Sequence, residues 1–321
     1  MRILVTGGAG FAGRHLLREL VSRGGYDVYA TRTEAEESRD AGVTAGSVRW
    51  KRMELSSEES VRAVLREVQP DLIYHLAGQA SVGGSFADPV GTWDINAAGT
   101  LRLVTALAAE GKLKDARPVR LLVISSAEVY GSVPADDQPI REDRELMPTT
   151  PYGASKAGAE IAALQMGRSD GLEVIVARSF NHIGPGQDER FFLPGMARQV
   201  KRIQREGGAR IIRTGNLEII RDFLDVRDVV NAYILLMEAG EAGAVYNVCS
   251  GEGRTLRLMV TRLLELAGDD FEIEVAPERV RLIDIPMLVG DGEALRELGW
   301  RPEFPLDRTL EDVLKEAESQ A

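Results

Sequence analysis

The chain has 321 residues, 44% of them hydrophobic, with 39 Lys+Arg against 50 Asp+Glu for a formal net charge of −11. Such a chain can bury two sizeable lobes, and its acidity argues against nucleic acid as a partner. A single cysteine, Cys249, excludes an internal disulfide framework, and His15, His75 and His182 lack metal-ligand spacing, so no metal site is expected. No apolar run approaches the ~18 residues that cross a bilayer. Met1–Thr6 is too short and too soon followed by glycine to read as a signal peptide. A cytoplasmic protein without a membrane partner is expected.

Strand-length apolar runs alternate with helical patterns from the start. Ile3–Val5, Val28–Ala30, Leu72–Ala77, Leu121–Ile124 and Leu172–Ala177 are nearly continuous in hydrophobicity, as parallel strands covered on both faces should be. Amphipathic segments such as Ser57–Val68 and Gly99–Glu110 lie between them. The alternation predicts an α/β fold, a doubly wound parallel (Rossmann) sheet over residues 1–180. Asn181–Arg190 reads as a loop. Helices over Pro194–Glu206, after Asp225, over Leu256–Ala267 and at the acidic C-terminus follow, with strands at Arg210–Arg213, Val245–Val248 and Phe271–Val275. They predict a smaller α/β substrate lobe over 181–321, with 210–240 returning to the first sheet.

The first strand enters Thr6-Gly7-Gly8-Ala9-Gly10-Phe11-Ala12-Gly13 and then a helical pattern. Glycines in a strand–turn–helix context let the backbone approach a pyrophosphate seated on the helix N-terminus. Gly7, Gly10, Phe11, Ala12 and Gly13 are therefore candidate dinucleotide-binding residues. An NAD site places an acidic residue about 20 residues further on. Here stands Arg32, whose guanidinium suits a 2′-phosphate, so the expected cofactor is NADP(H). Glu34, Glu36 and Glu37 fit a solvated helix start.

Tyr152-Gly153-Ala154-Ser155-Lys156 follows Thr150-Pro151, an N-cap and N1 proline, so Tyr152 and Lys156 share one face of a helix start. A neighbouring ammonium is expected to lower the tyrosine pKa from ~10 into a useful acid–base range. Ser125-Ser126, at the end of a predicted strand, supplies a hydroxyl to polarise a carbonyl.

TGGAGFAG at the start, HLAGQAS at His75–Ser81, SSAEVYG at Ser125–Gly131 and YGASK at Tyr152–Lys156 resemble extended short-chain dehydrogenase/reductases. RSFNHIGPGQ (Arg178–Gln187) and GNLEIIRDFLDVRDVVNAY (Gly215–Tyr233) look like the nucleotide-sugar branch of that superfamily. They are most similar to reductases of GDP-4-keto-6-deoxy sugars, with GDP-mannose 4,6-dehydratases as near relatives. The resemblance covers essentially the whole chain. It implies Ser126, Tyr152 and Lys156 as catalytic triad, and Glu54, Leu55, Leu76, Ala77 and Gly78 as further cofactor contacts. It also implies Ser81, Asn181, Arg198, Arg221 and Arg281 as substrate contacts, and a homodimer through the tyrosine helix and the Gly99–Glu110 helix. Leu282 departs from the proline that usually follows the second arginine.

The implied reaction is reduction of the C4 ketone of a GDP-4-keto-6-deoxyhexose by NADPH. Glu128 keeps a 4,6-dehydratase open, because elimination needs a carboxylate; its neighbour Ala127, where dehydratases carry an acid or hydroxyl, argues against one. A 4-epimerase, or a reductase for another base, also remains. Epimerising reductases use a cysteine and a histidine near the tyrosine, and this chain has no cysteine there. Cys249 and His182 read as packed residues.

Overall fold

The computed structural model describes residues 1–36, 46–112, 118–277 and 285–319. β1 (Arg2–Thr6) is covered on both faces, with Ile3, Leu4 and Val5 fully buried. It passes through the glycine turn into α1 (Phe11–Arg23), which lays Leu16, Leu17 and Leu20 on the sheet. β2 (Asp27–Arg32) and β3 (Val48–Arg52) extend the sheet on one side. α2 (Glu58–Val68), capped by the Ser57 hydroxyl accepting from the Ser60 N–H, returns the chain to β4 (Leu72–His75).

Next come α3 (Val82–Ala87) and α4 (Pro89–Trp93), continued through a π-helical turn at Asp94–Ala98 into α5 (Gly99–Lys112). β5 (Arg120–Ser126), α6 (Pro151–Asp170) and β6 (Glu173–Ser179) complete the regular alternation. The remainder runs β7 (Asn181–Ile183), α7 (Phe192–Glu206), β8 (Ile211–Thr214), β9 (Ile220–Asp225), α8 (Val226–Ala239) and β10 (Val245–Val248). It ends with β11 (Gly253–Thr255), α9 (Leu256–Ala267), β12 (Glu272–Val275), β13 (Met287–Leu288), α10 (Glu293–Glu297) and α11 (Leu306–Ser319).

The large sheet has the order β3-β2-β1-β4-β5-β6-β10 with every pairing parallel. Strand order reverses between β1 and β4, so the crevice beyond their C-terminal ends is the natural ligand position. One apolar layer packs α1 and α8 on one face, and another packs α2, α5 and α6 on the other. The chain passes between the large sheet and the smaller ones more than once, and of the predicted 210–240 return only α8 reaches the large sheet. α8 and β10 lie with the large sheet, whereas β8 pairs with β12 and β9 joins β7, β11 and β13. A third core gathers residues of α7, α9 and α11, and Ala127, Tyr130, Phe180, Cys249 and Leu288 form a fourth cluster.

Among the departures from the sequence expectation, two lie beside the crevice. β3 is absent from the predicted strands because Val48-Arg49-Trp50-Lys51-Arg52 carries three cations; an edge strand tolerates them, and its backbone pairing with β2 decides the matter. Asn181–Ile183 is strand rather than loop, because β9 offers its backbone in parallel register.

One buried charge pair stiffens the sheet behind the strand ends. Arg178 on β6 is salt-bridged to Glu160 on α6, at 6% and 2% side-chain exposure. Glu160 also accepts from the Ser125 hydroxyl (3.0 Å); Arg178 donates to the Tyr130 hydroxyl (2.9 Å), which donates to Asn247 (2.7 Å). Removing one partner of such a pair strands the other charge in a low-dielectric interior. Arg178→Met is therefore expected to cost roughly 3–5 kcal/mol in urea unfolding, with much of it restored by adding Glu160→Leu. A loss below about 1 kcal/mol for the single variant would contradict this role.

Candidate active site

The glycine turn is fixed by close packing. Gly7 has φ +68°, and a Cβ there would stand 2.7 Å from Ala77 Cα; one on Gly13 would stand 2.4 Å from the Gly7 carbonyl oxygen. Gly10, the N-cap of α1, has no side chain to close the helix end, and no acidic residue lies in the first turn. The N–H groups of Phe11, Ala12 and Gly13 thus lack intrahelical acceptors and face the crevice end as an anion seat. Arg32, at the end of β2, lies with its guanidinium 5.5 Å from the Trp50 ring centroid. Glu36 accepts from the Thr33 N–H (3.0 Å) and hydroxyl, which gives it a local turn-closing task. This donor set, amides for a diphosphate and a guanidinium where a 2′-phosphate would fall, fits a phosphorylated dinucleotide.

The other cofactor candidates gather along the same edge. Glu54 and Leu55 follow β3, with Leu55 buried. Leu76, Ala77 and Gly78 leave β4, and the Ala77 N–H donates to the Thr6 hydroxyl at 3.2 Å. β4 ends two residues short of the predicted Leu72–Ala77 because that hydroxyl draws the chain over β1. Behind them His75 sits between Thr6 (Nδ1, 2.8 Å) and Thr100 (Nε2, 3.0 Å). The Thr100 hydroxyl donates to the Asn96 carbonyl at 2.6 Å, so His75 Nε2 carries the proton and Nδ1 accepts from Thr6. Burial pushes the His75 pKa down to about 3, which keeps the ring neutral. It is a structural histidine.

Tyr152 and Lys156 lie on α6 as its cap predicts: the Thr150 hydroxyl accepts from the Gly153 N–H at 3.0 Å and Pro151 occupies the first turn. Both side chains are buried. Ser126 ends β5 next to them, and its side chain hydrogen-bonds that of Tyr152. Ser125 points the other way, to Glu160. The Ser126 hydroxyl also accepts from the Glu128 N–H at 3.2 Å.

The electrostatics correct one expectation. Burial pushes the Tyr152 pKa up to about 12, the Ser126 hydrogen bond pulls it back and the Glu128 charge adds to the rise. Lys156 does not set it: Nζ lies 6.0 Å from the ring centroid and donates to the Ile124 carbonyl at 2.9 Å. Burial brings Lys156 itself down to about 8. Desolvation outweighs charge proximity here, so Tyr152 is a protonated donor rather than a ready phenolate.

Asn96 is one residue that sequence reasoning missed. The π-helical turn swings it inward, where its amide donates to Ser155 Oγ (2.9 Å) and the Gln79 carbonyl (3.1 Å) and accepts from the Gln79 N–H (2.8 Å). Ser155 in turn donates to the Tyr152 carbonyl at 2.7 Å. No composition signal marks an i→i+5 turn, so the residue is invisible before the fold is known.

The substrate candidates are more scattered. Ser81 N-caps α3, accepting from the Gly84 N–H at 3.0 Å. Asn181 opens β7 and is exposed, whereas Arg221 on β9 is buried. Arg198 on α7 pairs with Glu189 at 3.0 Å and borders a cavity of ≈ 320 Å³ lined entirely from residues 189–202, including Arg190, Phe192 and Arg202. Arg281 falls outside the described residues. Cys249 is buried against Gly290, and burial raises its thiol pKa, as a packed cysteine requires. His182 stacks on Phe11 at 6.0 Å.

Comparison with known proteins agrees with this geometry. The GDP-mannose 4,6 dehydratase family matches residues 4–313. The chain is 37% identical to GDP-6-deoxy-D-mannose reductase of Pseudomonas aeruginosa, over 99% of this chain and 98% of that protein. It is 31% identical to UDP-glucose 4-epimerase of Corynebacterium glutamicum, over 97% and 93%. The structure of RMD from Pseudomonas aeruginosa complexed with NADPH superposes with a TM-score of 0.84 at 36% identity, covering 100% of this chain and 99% of that one. Thermus thermophilus UDP-glucose 4-epimerase complexed with NAD gives 0.86 at 30% identity and full coverage of both chains. Glycine turn, Ser126–Tyr152 contact and these likenesses together make the chain a member of the GDP-mannose 4,6-dehydratase family of extended short-chain dehydrogenase/reductases.

Proposed function

We propose that the protein is an NADPH-dependent reductase of the C4 ketone in a GDP-linked 4-keto-6-deoxyhexose, giving GDP-6-deoxy-D-mannose, and that it works in the cytoplasm. The observation that carries this reading is the full-length likeness to the Pseudomonas aeruginosa GDP-6-deoxy-D-mannose reductase. Arg32 at the end of β2 supports the choice of NADPH over NADH.

Bound NADPH supplies the hydride. The protein's own residues handle the oxygen. Ser126 donates a hydrogen bond to the ketone and Tyr152 delivers the proton as charge develops there. With its pKa raised by burial, Tyr152 carries its proton when the ketone arrives. Lys156 Nζ lies 3.6 Å from where a Gly78 Cβ would stand, so its ammonium is offered to the cofactor beside the segment that leaves β4 rather than to the Tyr152 ring. Asn181, Arg198, Arg221, Arg281 and Ser81 are the proposed sugar-nucleotide contacts, arginine forks serving the diphosphate.

A 4,6-dehydratase is the second reading, because the Glu128 carboxylate acts on Tyr152 across the same space. Ala127 weighs against it, being buried in the fourth apolar cluster with no group to give. Incubation with NADPH and GDP-4-keto-6-deoxymannose should consume NADPH stoichiometrically, while GDP-mannose alone should stay intact. Loss of water from GDP-mannose would select the dehydratase.

An exposed apolar face supports a homodimer. Phe86, Val90, Trp93, Leu101 and Ile161, from α3, α4, α5 and α6, stand at 46, 78, 49, 44 and 58% exposure. Exposed apolar side chains on neighbouring helices are a typical subunit contact.

Three outcomes test these readings. Tyr152→Phe should lower kcat by at least about a hundredfold with NADPH affinity within about threefold; surviving turnover would remove Tyr152 from its role. Val90→Glu with Ile161→Glu should convert a dimer to a monomer in sedimentation, and an unchanged mass would exclude this face. The third concerns pH. Below about 8 folded Lys156 bears its ammonium at full desolvation cost; between about 8 and 10.5 it has released a proton that the unfolded chain keeps, so this group's contribution to stability rises with pH. Lys156→Met should therefore raise Tm by a few degrees at pH 7, and the gain should shrink by pH 9. A gain independent of pH would contradict the assignment.

A further inference from the structure

The sequence reading gave the cofactor two cations, Lys156 for the nicotinamide ribose and Arg32 alone for the 2′-phosphate. The strand it missed supplies another. Arg32 and Arg52 are register partners on β2 and β3, so their backbones run about 4.8 Å apart and their side chains leave the same face of the sheet. Trp50, two residues before Arg52, shares that face and lies under the Arg32 guanidinium. The same indole packs against the glycine turn: a Cβ on Gly8 would stand 3.3 Å from its ring. The Gly8 N–H donates to the Thr31 carbonyl at 2.9 Å and the Gly7 N–H to the Thr31 hydroxyl at 3.2 Å. Both arginines are thereby held at the side of the turn where the adenosine ribose falls.

Arg52 is ion-paired with Glu34, on the short 3-10 turn Glu34–Glu36 that follows β2. The two side chains are 54 and 69% exposed, so the pair is screened and opens at little cost. The nearby carboxylates have other work: Glu36 accepts from Thr33, and Glu54 accepts from the Glu34 N–H at 3.3 Å. Cations at facing register positions favour an anion beside them. Glu34 supplies one carboxylate. A phosphate monoester brings up to two charges and three acceptor oxygens, enough for both forks.

We propose that Arg52 is a second guanidinium for the cofactor's 2′-phosphate, and that Glu34 is a resident counter-ion which the phosphate displaces. The proposal rests on the NADP reading and deepens it. A cofactor with a bare 2′-hydroxyl has nothing to exchange for Glu34 and leaves the ion pair closed. Preference for the phosphorylated cofactor then comes from an exchange of anions on a fixed pair of cations.

The test is calorimetric binding of 2′,5′-ADP and 5′-ADP at fixed ionic strength, with no turnover involved. Arg52→Ala should weaken 2′,5′-ADP about tenfold or more and leave 5′-ADP within about twofold. Glu34→Gln should tighten 2′,5′-ADP about threefold and leave 5′-ADP unchanged. The Glu34→Gln gain should disappear in the Arg52→Ala background, because the two residues act on one another. Should Arg32→Ala discriminate between the ligands while Arg52→Ala affects neither, or both equally, the Arg52 assignment is overturned and the NADP reading stands. Should the unaltered protein bind both within about twofold, the NADP reading itself fails. Weaker 2′,5′-ADP binding by Glu34→Gln would overturn the counter-ion role.

Discussion

Burying an ammonium in protein costs more than one hydrogen bond to a carbonyl returns, and Lys156 is buried with the Ile124 carbonyl as its acceptor. That expense is tolerated because of what the position gives: a cation beside Gly78 and one helical turn from Tyr152. The surrounding structure holds the arrangement. Thr150 closes the end of α6, Ser155 anchors it to Asn96, and Glu160, one turn beyond Lys156, locks it to Arg178 on β6. Glycines admit the neighbouring elements: a Cβ on Gly153 would stand 2.5 Å from the Glu128 carbonyl oxygen.

The same logic explains a phenol at high pKa. An enzyme that removed a proton from an alcohol would need the phenolate, and burial would oppose it. A ketone reductase needs the opposite, a donor that keeps its proton until the carbonyl oxygen becomes basic. Desolvation thus keeps Tyr152 protonated until the carbonyl oxygen becomes basic. Glu128 strengthens the effect through its charge on Tyr152. It needs no part in elimination to account for its place.

Much of this was readable from the sequence wherever one residue type has one physical use at a position. The glycines of the first turn, the Thr150-Pro151 helix start and the continuous hydrophobicity of β1, β4, β5 and β6 each announce their structure. What stayed hidden depends on pairing and packing. β3 reads as a polar loop until β2 lies beside it, and with it Arg52 goes unseen. Asn96 needs a π-helical turn that no residue pattern signals. The tyrosine pKa was misread because sequence shows the nearby lysine but not the burial that outweighs it. The resemblance names Arg198 and Arg221 as substrate contacts; the fold places the first on α7 beside Glu189 and the second on β9.

The central claim is net hydride transfer to a sugar carbon, with Tyr152 closing the proton balance. Turnover of the 4-keto sugar nucleotide with NADPH deuterated at the transferable position tests it most directly. Mass spectrometry and proton NMR of the product should find one deuterium per sugar, at C4, with an equal amount of NADP+ formed. Product formed without deuterium at C4, or without net NADP+, would contradict the account and point to a recycling enzyme.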